Sequence, residues 1–176
     1  MHSRALRQLA VVTLTCLVSV PQATTFSATL REEAVAYRVA GYERQQLGDL
    51  EGALAAYQKA TALDPTYATP NNDAGILLEG LGRWEDAQRA YERALAIDPK
   101  HLEASFKLMD IAIVHQKTDL AIKVMEDAVE HNTDEPLAYY NLINVYDKCK
   151  MFEQAEQARQ KLKDRFAKRA KETGKS

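Results

Sequence analysis

The sequence carries two cysteines in 176 residues, Cys16 and Cys149. Removal of the N-terminal stretch would leave Cys149 alone, and one cysteine cannot close an internal disulfide. Lys148 and Lys150 flank it and would favour a thiolate, but its simpler role is a partly buried residue at a helix end. The four histidines, His2, His101, His115 and His131, never stand at zinc-binding spacing, and Cys149 has no C-x-x-C partner. Glu130-His131 lacks the second histidine of H-E-x-x-H. The seven glycines form neither a Walker loop nor a G-x-S-x-G elbow. The carboxylate pairs Glu85-Asp86 and Glu126-Asp127 are adjacent in sequence, so on a helix they point in different directions. These absences leave no catalytic constellation, no metal site and no cofactor site, and a non-enzymatic protein is expected. The apolar run Leu9–Val20 is too short to span a bilayer comfortably.

What is present is a period. Ala40-Gly41 and Ala74-Gly75 are 34 residues apart, as are Leu47-Gly48 and Leu81-Gly82, Tyr57 and Tyr91, and Asp64-Pro65 and Asp98-Pro99. Ala53, Ala87, Ala121 and Ala155 carry the same spacing through the chain, and Ala60, Ala94 and Ala128 follow seven residues later. A fixed period of this size denotes stacked supersecondary units. The hydrophobic pattern predicts eight helices, over 31–46, 50–63, 70–80, 84–97, 102–115, 118–131, 135–148 and 152–170. Gly48 and Gly82 sit just past helix ends, where a left-handed residue is needed. Asp64 and Asp98 precede prolines that stop a helix, while Pro70 and Pro136 suit a first turn. The recurrent alanines, with Gly41 and Gly75, let two helices of a hairpin approach closely. Tyr37, Tyr57, Trp84, Tyr91 and Phe152 are expected to fill the gaps between hairpins.

The pattern Tyr37-x2-Ala40-Gly41, Ala53-x3-Tyr57, Pro65 and its copy Asn71-x2-Ala74-Gly75, Ala87-x3-Tyr91, Pro99 resemble the tetratricopeptide repeat (TPR) family. Tyr139-x2-Leu142-Ile143-x2-Tyr146 with Ala155 is a fourth copy. The third, Leu108-Met109 and Ala121-x3-Met125, is degenerate, with Thr133 where proline is expected. The resemblance implies an all-α protein: a solenoid of four stacked hairpins, residues 34–67, 68–101, 102–135 and 136–169, with a C-terminal extension to 176. In that extension Leu162 and Phe166 would cover the open face of the fourth hairpin, as a solenoid end requires.

Residues 1–27 are set apart as a targeting segment. Arg4 and Arg7 before the Leu9–Val20 run suggest a secretory signal, and so an exported protein; an uncleaved anchor at 9–20 and an organelle transit peptide are the alternatives. Charge is uneven, with +2 over residues 1–30, −9 over 31–160 and +5 over 161–176. The basic tail could touch an anionic membrane surface weakly. It has no aromatics between its basic residues beyond Phe166, so no nucleic-acid partner is expected.

The family resemblance implies that a protein or peptide segment, of an identity the sequence does not encode, lies along the first helices of the hairpins. Their outward positions recur at i, i+3, i+7 and i+10. The partner-binding candidates on these rows are Arg38, Tyr42, Asn72, Ile76, Phe106, Asp110, Ile113, Tyr140 and Asn144. This face is more apolar than solvation needs, and aromatics beside amides suit a protein partner. One subfamily grips a partner's terminal carboxylate with a lysine, arginine and asparagine clamp. Arg38 and Lys107 match two of its cations, but Tyr42, Asp73 and Glu103 replace two asparagines and a lysine. Two carboxylates would repel an acidic tail, so that mode is not expected.

Overall fold

The computed structural model describes residues 22–172 and 174, and the side chains of 28–169. Among them lie eight α-helices and no strand: α1 (Gln22–Gln46), α2 (Leu50–Leu63), α3 (Thr69–Gly80), α4 (Trp84–Ile97), α5 (Leu102–Val114), α6 (Thr118–His131), α7 (Pro136–Lys148) and α8 (Phe152–Glu172). They pair in sequence as four hairpins, and each second helix also packs on the first helix of the next hairpin. The expected helix ends hold within a residue or two except at α1, which starts at Gln22 rather than 31. Nothing between Gln22 and Leu30 breaks a helix, so α1 runs back to the residue after Pro21. The expected boundary at residue 27 therefore falls inside α1, while the Leu9–Val20 run and Cys16 lie outside the described residues. Among the described residues no helix is long and apolar enough to cross a membrane.

The alanine columns are the seams. Ala53, Ala87, Ala121 and Ala155 are fully buried, and so, to within a per cent, are Ala60, Ala94 and Ala128. Gly41 and Gly75 face tyrosine rings: a Cβ on Gly75 would stand 2.5 Å from Tyr91 Cε1, and one on Gly41 2.6 Å from Tyr57 Cε1. Both rings are themselves buried and cannot swing aside. Trp84 is covered by the next hairpin, with His115 stacked on it at 4.0 Å and Lys117 Nζ 4.7 Å from its ring. Phe152 occupies the equivalent place in the last hairpin and is 65% exposed, against expectation. Among the described residues there is no counterpart of His115 and Lys117 over it.

Each hairpin turns through one left-handed residue, and these too keep the period: Gly48 (φ 80°), Gly82 (φ 71°), Gln116 (φ 57°) and Lys150 (φ 58°). The last two have side chains where glycine is unstrained, at about 1–2 kcal/mol each. Gln116→Gly and Lys150→Gly should therefore each raise the melting temperature, by about 2–8 °C. Gly75→Ala should lower stability by about 1–3 kcal/mol by forcing α3 from α4. Calorimetry on the three variants checks both signs.

Candidate functional site

The first helices α1, α3, α5 and α7 carry all nine candidate residues, and the structure sorts them into rows with different neighbours. The row Arg38, Asn72, Phe106, Tyr140 bridges successive first helices. Arg38 Nε donates to Asp73 Oδ2 on α3 at 2.5 Å, and this bond holds the guanidinium pKa above its ordinary value. Asn72 is fully buried, and its Nδ2 donates to Glu103 Oε2 on α5 at 3.0 Å. Asn72 is thus a joint between repeats, not the open groove contact expected of it. Phe106 is half-buried and packs on the core. Tyr140 meets no further first helix among the described residues and is 59% exposed. It lines a depression of about 540 Å³ with Ile143, Leu162 and Phe166 at the end of the solenoid. Leu162 and Phe166 thus cover that end only in part. Arg165 fastens α8 to the turn between α6 and α7 through Asp134 at 2.9 Å.

The row at i+10 faces inward to the second helices. Gln45 Oε1 accepts from the Tyr57 hydroxyl at 3.1 Å, Glu79 Oε2 from the Tyr91 hydroxyl at 2.9 Å, and Asp147 Oδ2 from Arg159 at 2.5 Å. Ile113, the same position in the third hairpin, is half-buried against the core, where Met125 replaces the tyrosine. Ile113 belongs to packing.

The remaining row, Tyr42, Ile76, Asp110 and Asn144, places one residue on each first helix. Tyr42, Asp110 and Asn144 are exposed and Ile76 is half-buried. None of the four has a side-chain hydrogen bond or ion pair to another described residue, so their polar atoms stay open to a ligand. The clamp cations are in use elsewhere: Arg38 by Asp73, and Lys107, 3.7 Å from Glu79. Asp73, Glu79 and Glu103, absent from the candidate set, organise this face by holding the first helices together. Their signal in the sequence was opposite or complementary polarity about one period apart.

No group of three or more histidine, cysteine or acidic residues able to hold a metal occurs among the described residues. Burial pushes the Tyr57 hydroxyl up to about 12, aided by the charge of Asp73. Burial and the Glu79 hydrogen bond raise Tyr91, and burial and Glu126 raise Tyr146. Their folded pKa values lie above the unfolded value of about 10. The stabilisation is therefore complete below pH ~10 and is lost as pH rises through the folded values. The melting temperature should fall above pH ~10, and less steeply in Tyr57→Phe; thermal melts across pH 8–12 check this.

Two repeat-family models match the chain, the TPR repeat over residues 41–82 and the tetratricopeptide repeat over residues 72–136. The chain belongs to the tetratricopeptide repeat family. Among solved structures it is similar to MamA, with 27% identity and a TM-score of 0.58 over 74% of this chain and 72% of that one. It is also similar to MamA 41-end from Desulfovibrio magneticus RS-1, with 26% identity and a TM-score of 0.56 over 76% and 75%. YrrB, described as a TPR protein with an unusual peptide-binding site, shares the fold at 22% identity and a TM-score of 0.58 over 84% and 76%. No curated protein matches the chain.

Proposed function

We propose that the protein is a non-enzymatic adaptor or assembly factor that holds a partner's protein segment along its first helices, over the row Tyr42, Ile76, Asp110, Asn144. The observation that carries this reading is the contrast between rows. Of the three rows that carry the candidates, two are occupied by contacts between helices, while this one runs along all four hairpins with its polar atoms unengaged. It offers an aromatic ring, an aliphatic side chain, a carboxylate and an amide in series, which suits an extended or helical peptide. YrrB's description as a peptide-binding TPR protein is in keeping with this use of the fold.

The exposed members can be truncated without emptying the core, unlike Phe106. Tyr42→Ala combined with Asn144→Ala should change stability by less than about 0.5 kcal/mol per site. The pair should weaken partner capture by at least about tenfold. Parallel melting and pull-down measurements with the wild type decide it: normal capture by the pair removes this face from the function.

We further propose that the protein is exported. Arg4, Arg7 and the Leu9–Val20 run support this, and the acidic body with its basic tail would then face a partner outside the cytoplasm. N-terminal sequencing of the mature protein should begin near Thr24 or Ala28. A start at Met1 would favour the alternative, a scaffold held at a membrane surface by residues 9–20 and the basic tail.

A further inference from the structure

Between α2 and α4, over α3, the solenoid opens into a cleft of about 490 Å³. The fourth hairpin has its counterpart, about 420 Å³ and lined by Tyr139, but here one lining position differs. The position of Asn71 is Tyr37 in the first hairpin, Ser105 in the third and Tyr139 in the fourth, and the family pattern has tryptophan there. Asn71 is 7% exposed, and its Nδ2, itself almost without accessible surface, has no acceptor among the described residues. Its Oδ1 accepts from Arg93 Nε at 3.4 Å. A buried donor without an acceptor is destabilising, so the cleft has an unmet need for an acceptor atom.

The charges around it agree. Arg83, Arg89 and Arg93 line the cleft, and Asp86 is the one acid on its lining. Asp86 is already engaged by Arg83 at 2.8 Å and by Arg89. Arg93 has no ion pair with a carboxylate among the described residues, so its exposed guanidinium stands open at the cleft, with the Asn71 amide buried beside it. Leu54, Ala62, Ala74 and Leu78 supply apolar wall.

We propose that this cleft is a second docking site, independent of the first-helix face, which takes the carboxylate of an aspartate or glutamate in a partner protein segment. The planar guanidinium of Arg93 matches a carboxylate in a bidentate manner, and the amide of Asn71 supplies a further donor. The apolar walls accept the residues flanking that acid, which favours a peptide over a free anion.

The test is a side-chain NMR titration of the full chain with three probes: acetyl-Leu-Glu-Leu-amide, its glutamine analogue, and inorganic phosphate. The glutamate peptide should shift the Asn71 Nδ2 and Arg93 Nε signals saturably, with a Kd of about 1 mM or tighter. The glutamine analogue should bind about tenfold more weakly. Arg93→Gln, at an exposed site, should lose the binding and keep the fold, whereas Tyr42→Ala should bind normally. Asn71→Tyr, which restores the aromatic of the first and fourth hairpins, should abolish the shifts and raise the melting temperature. Equal binding of the two peptides, no shift with glutamate, an Arg93→Gln variant that binds as the wild type, or the same saturation by phosphate alone would each overturn the proposal.

Discussion

A tyrosine ring lying on a glycine inside a hairpin sets the spacing on which the molecule depends. At Gly75 and Gly41 there is no room for even a methyl group against Tyr91 and Tyr57. The alanine columns continue that close approach along the rest of each hairpin. At equivalent places the third hairpin has Met109 with Met125, both buried, and the fourth has Ile143 with Arg159. A smaller or more flexible partner replaces the ring as the glycine gains a side chain, so the two helices keep near contact. The cross-helix pair at the end of the same row changes chemistry in step: Gln45 with Tyr57, Glu79 with Tyr91, Ile113 near Met125, and Asp147 with Arg159. The geometry persists while neutral, charged and apolar pairs take turns in satisfying it. This is how a repeat can lose its sequence pattern and keep its place in the stack.

Much of the fold was legible because it rests on local rules. Glycine at Gly48 and Gly82, proline at Pro70 and Pro136, and alanine at 34-residue spacing mark turns, starts and seams without reference to distant residues. Gln116 and Lys150 hide the same turns because neighbouring packing imposes a left-handed backbone that their side chains disfavour. Phe152 misled because a 34-residue spacing carries no information about the residues needed to cover it. The start of α1 was missed because Gln22–Leu30 has little apolar periodicity, although nothing in it opposes a helix.

The site was legible at the level of a face but not of a row. Positions at i+3, i+7 and i+10 all lie on one side of a first helix, and helical spacing cannot separate them. Partners about 31 to 35 residues away do so: Asp73 takes Arg38 and Glu103 takes Asn72, which turns two apparent binding residues into joints. Tyr42, Ile76, Asp110 and Asn144 are left as the open series. The same long-range logic leaves Asn71 half-satisfied, since the aromatic that its position ordinarily holds is missing. Both features arise where the repeat departs from its own pattern, and such departures distinguish one member of a repeat family from another.

The most direct measurement of the central claim is site-specific photo-crosslinking in the native setting, with a photoreactive phenylalanine placed in turn at Tyr42, Asn144, Glu92 and Lys161. The account predicts that Tyr42 and Asn144, on the first helices, capture one and the same protein, and that Glu92 on the exposed side of α4 and Lys161 on α8 do not. Capture from Glu92 or Lys161 with none from Tyr42 and Asn144 would contradict it.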